Sequence, residues 1–214
     1  MTRVLLTGFQ PFDGEATNPS WQAVRAAAAE PPTGIEVSAA ELPCVYGASV
    51  AVLRAAIEEA RPEVVVCVGQ AGGRPDITVE RVAINVDDAR IPDTSGAEPV
   101  DEAIVPGGPA AYFSTLPIKA CVAAVRAAGL PASVSNTAGT FVCNHVFYGL
   151  AHLIATELPD LRGGFVHVPY APEQATDRAQ PSLPVPAVAR ALREIAATAA
   201  HTRTDIRVAG GATH

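Results

Sequence analysis

Residues 63–69 read EVVVCVG. A continuous apolar, largely β-branched run of this length, closed by glycine, has no polar face to turn to water, so it reads as a strand buried on both faces. The chain around it supplies matching elements. Upstream, RVLLT at 3–7 is a short β-type run that ends in Gly8, and GFQPFDGEATNPS follows as a loop. NPSW then opens a helix, with Asn18 as N-cap, Pro19 at the first helical position, and Trp21, Val24 and Ala28 at helical spacing. IEVSAAEL at 35–42 reads as a second strand, and GASVAVLRAAIEEARP at 47–62 as a second helix stopped by Pro62. Strand and helix alternate, which is the pattern of an α/β sandwich.

Downstream the alternation loosens. ITVERVAIN at 77–85 is strand-like with period two, but the stretch 87–117, DDARIPDTSGAEPVDEAIVPGGPAAYFSTLP, has no clear periodicity. A loop of that length inside a compact domain is usually functional, as a lid or a binding loop. Beyond it come a helix at IKACVAAVRAAG, a strand at ASVSN, a helix that runs from the motif SNTAGTFVCNHVFY to Leu158, and a last strand at GGFVHVPY. A Pro-rich loop then leads to a C-terminal helix, PAVARALREIAATAAH. With no linker and no composition break, the expectation is one domain spanning 1–214.

Composition narrows the partners. Apolar residues are 49% of the chain and charged ones 17%, which argues for a packed core and against disorder. The net charge of -7, with no cluster of lysine or arginine to offset it, disfavours nucleic acid and anionic membrane surfaces. The apolar run in MTRVLLTGFQPF is too short for a signal-peptide core, and no later run approaches a membrane span. The expectation is a cytoplasmic protein whose four cysteines, Cys44, Cys67, Cys121 and Cys143, are free thiols.

Cys143 stands apart from the other three. Cys67 and Cys121 lie in apolar runs and fit small buried hydrophobes, while Cys44 beside Pro43 carries no signal either way. The turn NTAGTF places Cys143 where a helix begins, and first-turn N–H groups lack intrahelical partners and carry partial positive charge. That setting pushes a thiol toward thiolate, and the same donors can hold an oxyanion.

A nucleophilic thiol needs a base, and the base needs a group to orient it. Of the five histidines, His201 and His214 lie at or near the tail and read as solvated. His145 and His152 share a helical face and invite a metal reading with Cys143, but there is no Cys-x-x-Cys or His-x-x-x-His pair to support it. His167 ends an otherwise apolar strand just before Pro169, at the carboxyl end where open α/β sheets carry their active sites. It also suits a core histidine bonded to a backbone carbonyl. Glu80 shares a strand face with Thr78, Val82 and Ile84, and a carboxylate among such neighbours must be paired. An imidazolium would satisfy it, as in a triad; so would Arg81 or another arginine if the strand lies at an edge.

Several blocks, in order, resemble the pyroglutamyl peptidase I family of cysteine peptidases: LLTGFQPFDGEATNPS, GQAGGRPDITVERVAIN, IPDTSG, AYFSTLP, SNTAGTFVCNHVFY and HVPYAPEQ. The resemblance covers most of the chain. It implies a three-layer α/β/α sandwich around a mixed, mostly parallel sheet, a peptide substrate with N-terminal pyroglutamate, no cofactor, no metal, and oligomers, often tetramers, in bacterial members. It places the nucleophile on Cys143, the general base on His167 and the orienting carboxylate on Glu80. Phe9, Phe12 and Phe141 are implied to line a pocket for the flat lactam, with Gln70 or nearby backbone meeting its polar atoms. Arg90 matches an arginine near the reacting carbonyl, and Asn18 braces the first loop or simply caps its helix.

Two other readings share parts of the pattern. Another cysteine amidohydrolase on an α/β sheet would keep the nucleophile and take a different acyl group. A phosphorylase-like small-molecule binder would share the fold pattern, but the chain has no G-x-G-x-x-G at a strand–helix junction and no P-loop.

Overall fold

The structure, a computed structural model, describes residues 1–176 and 179–211; His214, read above as solvated, lies outside the described residues. Its centre is β3 (Val64–Gln70), in which every residue but the last is buried. On one side it pairs in parallel with β1 (Thr2–Phe9), which pairs in parallel with β2 (Ile35–Leu42). On the other side it pairs in parallel with β8 (Arg162–Val168). β4 (Ile77–Glu80) joins β8 antiparallel, and β7 (Ala132–Ser135) runs parallel to β4 at the far edge. The six-stranded order is therefore β2-β1-β3-β8-β4-β7, a mixed and mostly parallel sheet.

Helices cover both faces. Period two along each strand sends alternate side chains to opposite sides, so Val64, Val66 and Val68 enter one core while Val65 and Cys67 enter the other. The first core is closed by α1 (Pro19–Ala29), α3 (Ile118–Ala127) and α5 (Val185–His201), and the second by α2 (Ala48–Ala60) and α4 (Val142–Thr156). This is the three-layer α/β/α arrangement that the family resemblance implies, and it accords with the α/β alternation of the sequence. Asn18 caps α1 as read, accepting from Ser20 N at 3.0 Å, and the same side chain donates to Gln10 O at 3.0 Å. Capping and loop bracing are both real roles.

Two element readings need correction. β1 does not stop at Gly8 but continues through Phe9, which stays in register with Leu42 and donates its N–H to Ser20 Oγ at 3.0 Å. Gly8 is needed because α1 starts against it: a Cβ there would lie 2.6 Å from Trp21 Cα. The run 77–85 is not one strand. β4 ends at Glu80, and β5 (Val82–Ile84) pairs antiparallel with β6 (Ala111–Phe113) in a separate two-stranded sheet. Arg81 is the hinge, since its N–H bonds Ser135 O in the large sheet while its carbonyl accepts from Ser114 N on the small one. Val82 and Ile84 therefore do not extend the face that carries Thr78 and Glu80.

The long loop 87–117 is ordered by its own polar groups as well as by β6. Asp93 is the main fastening. One carboxylate oxygen accepts from Ser95 N (2.8 Å), Ser95 Oγ (2.7 Å) and Ala97 N (2.9 Å), and the other from Tyr46 N (3.0 Å). Burial works against its charge, but these donors hold the Asp93 carboxyl below the usual carboxylate range.

Candidate active site

β3 and β8 end side by side, with Gly69 opposite His167, and the N-terminus of α4 lies over them. A Cβ on Gly69 would come 2.7 Å from Cys143 Sγ and 2.9 Å from Phe165 Cζ, so glycine here leaves the room that the sulfur occupies. Cys143 is the second residue of α4. Its N-cap Phe141 makes no side-chain capping bond, which leaves the first-turn N–H groups without a side-chain acceptor.

His167, 3% exposed, meets Glu80, 0% exposed, at 2.7 Å between Nδ1 and Oε1. The acceptor is a carboxylate, so Nδ1 carries the proton and donates, and Nε2 keeps its lone pair. β4 sits inside the sheet rather than at its edge, and Arg81 is bonded to Gly210 O, so the edge-strand pairing of Glu80 with Arg81 does not occur. The cation beside Glu80 is Arg74. Its Nη1 donates to Glu80 Oε1 at 2.6 Å and to Thr78 Oγ1 at 2.5 Å, and its Nη2 to Thr137 O at 2.8 Å. Sequence reading left room for an arginine other than Arg81 beside Glu80 but did not single out Arg74, which stands in the GGRPD segment three residues before β4.

These charges set the protonation states. Burial opposes ionisation of Glu80, but the bonds and charges of His167 and Arg74 hold its carboxyl below the usual range. Burial holds the His167 imidazole below its ordinary value, against the pull of Glu80, and Arg74 pushes the same way as burial. The resting pair is carboxylate and neutral imidazole. The thiol differs from the sequence expectation. Burial, with Cys44 and the Glu80 carboxylate nearby, pushes Cys143 up rather than down. The resting sulfur is a thiol.

Cys143, His167 and Arg74 open onto a cleft of about 380 Å³. Phe9, Phe12, Asn18, Gln70, Arg90 and Phe141 all line it, so the structure brings every residue singled out for substrate contact to one place. Phe12 lies 6.3 Å from Phe141 between ring centroids, and Tyr46 stands edge-on to Phe141 at 5.6 Å. Gln70 Oε1 accepts from Gln174 Nε2 at 3.2 Å. Cys44, silent in the sequence, also lines the cleft, and burial pushes its thiol up to about 12. Cys67 and Cys121 are buried in the cores.

A groove of about 430 Å³ between the ends of α2 and α4 is larger but holds no cysteine or histidine, and is crossed by the exposed pair Arg54–Glu157. His145 cannot join a metal site with Cys143 as it stands. Its Nε2 accepts from Gly47 N at 2.9 Å and its Nδ1 donates to Asp87 Oδ2 at 2.8 Å, so both ring nitrogens are committed. His152 Nδ1 is bonded to Tyr112 Oη at 2.9 Å.

An α/β/α sandwich with a thiol at a helix N-terminus, facing a cleft shared with a carboxylate-bound imidazole, is the architecture of a thiol hydrolase. Comparison with known proteins specifies it. The family model described as pyroglutamyl peptidase matches residues 2–203. The pyrrolidone-carboxylate peptidase of Streptomyces coelicolor is 66% identical over 216 residues, with 100% of each chain covered. That of Escherichia fergusonii is 58% identical over 215 residues, again with 100% of each covered. The crystal structure of pyroglutamyl peptidase I from Bacillus amyloliquefaciens superposes with a TM-score of 0.96 at 50% identity, covering 97% of this chain and 99% of that one. A mutant pyrrolidone carboxyl peptidase from Pyrococcus furiosus gives 0.89 at 40% identity, covering 92% and 98%. The chain belongs to the pyroglutamyl peptidase family, a family of cysteine peptidases.

Proposed function

We propose that this chain, as one catalytic domain over 1–214, hydrolyses the amide bond after an N-terminal pyroglutamyl residue through a thioester on Cys143. The observation that carries the reading is the buried His167–Glu80 bond at 2.7 Å, opening onto the same cleft as the Cys143 thiol at the start of α4. Free His167 Nε2 takes the thiol proton as the sulfur attacks the pyroglutamyl carbonyl, so the thiolate forms during attack rather than beforehand. The uncapped first-turn N–H groups of α4, with Arg90 in the same cleft, stabilise the oxyanion. His167 then gives its proton to the departing amine, and a water activated by the same imidazole releases pyroglutamate from sulfur. Glu80 keeps the Nδ1–H tautomer and supports the transient imidazolium.

The substrate fits the walls. The lactam is uncharged, flat and mostly apolar, which suits Phe9, Phe12 and Phe141, while Gln70 or nearby backbone groups meet its N–H and C=O and Asn18 braces the loop that follows Phe9 and carries Phe12. Segment 87–117 contributes Asp88, Arg90 and Ile91 to the cleft, which supports its reading as a binding loop. Free thiols support a cytoplasmic setting, and no described helix is long and apolar enough to cross a membrane. Neither a cofactor nor a metal takes part in the proposed chemistry.

The test is release of a fluorogenic amine from a pyroglutamyl amide under reducing conditions, beside prolyl and glutaminyl amides. Selective turnover that iodoacetamide and Cys143→Ala both abolish is expected. Retained turnover in folded Cys143→Ala, or equal turnover of the prolyl amide, would overturn the reading.

A further inference from the structure

Arg74 lines the cleft and touches the Glu80 carboxylate, yet the reaction above gives it no part. Arg74 leaves the loop after β3, with 23% of its side chain exposed, and spends its guanidinium inward on three acceptors. Two belong to β4: Thr78 Oγ1 at 2.5 Å and Glu80 Oε1 at 2.6 Å. The third is Thr137 O at 2.8 Å, in the turn between β7 and α4 that delivers Cys143. That carbonyl also accepts from Ser135 Oγ at 3.0 Å, so the turn is held from β7 and from Arg74 together. A planar guanidinium can serve several fixed acceptors at once, which a lysine ammonium on a flexible stem does less well.

We propose that Arg74 is a positioning residue for the reaction, fixing the Glu80 carboxylate against His167 while pinning the turn that presents Cys143. The proposal rests on the assignment of those three residues made above. Arg74 shares Oε1 of Glu80 with His167, and so competes with the imidazole for the same lone-pair region. The cation makes Glu80 a weaker partner for imidazolium and keeps His167 in the neutral form the thiol needs. Its charge acts in that direction on His167, and lowers the cost of ionising Cys143. The other titratable or charged groups facing the cleft are Asp13, Glu15, Cys44, Asp88, Arg90 and Tyr170, all unchanged by a substitution at Arg74.

The experiment compares wild type with Arg74→Met, Arg74→Gln and Arg74→Lys. Two profiles are read against pH: kcat/KM on a pyroglutamyl amide, and the rate of iodoacetamide alkylation at Cys143, with thermal melting to certify folding. For the neutral variants the expected result is an acid limb of kcat/KM displaced to higher pH by about one unit. A several-fold slower alkylation at neutral pH should accompany it. Lys should restore the position of the limb but leave a lower plateau, because one ammonium cannot hold all three acceptors. Gln keeps a donor toward Thr137 O and serves if Met does not fold. A plateau that falls with no movement of the limb and unchanged alkylation would reduce Arg74 to a structural tether and overturn the proposal. So would wild-type behaviour in either folded neutral variant. The alkylation arm needs no turnover, so it still reads Arg74 if the amide assay shows the peptidase assignment itself to be wrong.

Discussion

Gly69 is where the fold makes space for chemistry. Adding one methyl there would put carbon 2.7 Å from the Cys143 sulfur, closer than Cβ contacts tolerate, so the sulfur or Phe165 must move. A displacement of about 1 Å at a reacting atom can cost roughly 10²-fold in rate. Gly69→Ala should therefore lose about that much kcat on a pyroglutamyl amide while melting within a few degrees of wild type; undiminished kcat would show that the sulfur is not confined as described. Glu80→Gln removes the charge but keeps the shape. We expect kcat to fall by about 10²-fold or more, yet less than in Cys143→Ala, and an unaffected rate would remove Glu80 from the mechanism. The sign of the pH dependence follows from burial. His167 is held below the ordinary imidazole range, so neutral base persists as pH falls, and the acid limb of wild-type kcat/KM should lie below about 6.5. A limb above that value would contradict a buried neutral imidazole. At this scale the grouping of Cys143, His167 and Glu80 was legible because each is a polar or reactive residue in an environment that needs a reason. Arg74 was not, because a single arginine in a short Gly-Pro loop has no periodicity and its three acceptors lie in segments far along the chain. The state of the thiol was misread because a helix N-terminus is a local feature of sequence, whereas desolvation and the nearby Glu80 charge are properties of the folded cleft.

Among the elements, strands and helices with clean periodicity were legible nearly to the residue: IEVSAAEL is β2, and Asn18–Pro19 opens α1. The break at Arg81 was not, since period two continues through it and only the two partner strands, β7 and β6, pull the chain into different sheets. The long loop likewise carries no repeat, because polar fastening rather than an apolar stripe orders it. Asp93 makes that testable. Replacing it with Asn forfeits charge-assisted bonds from Ser95, Ala97 and Tyr46, costing about 2 kcal/mol, or about 4–8 °C in Tm. Its carboxyl is held below the usual range in the folded protein, so that contribution is present above the unfolded-state pKa and is lost as pH falls through the folded one. The Tm difference between wild type and Asp93→Asn should shrink in acid; a difference that is constant or grows would contradict this account of the loop.

For the whole molecule, the layers follow from alternation in the sequence, but the antiparallel entry of β4 and β7 does not, and it is what brings Glu80 to a histidine at the end of a parallel strand. The family resemblance implies a homo-oligomer, with a tetramer as the specific expectation. Light scattering on size-fractionated protein should give a mass above one chain, and a monomer across the working concentration range would refute the assembly. The central claim is that Cys143 is the nucleophile within a lactam-selective cleft. A pyroglutamyl chloromethyl ketone tests it most directly, read by peptide mass spectrometry after stoichiometric inactivation. We expect a single modified residue, Cys143, with labelling slowed by free pyroglutamate and much slower with the prolyl analogue. Labelling at Cys44 or another residue, or full activity after complete modification of Cys143, would contradict the account.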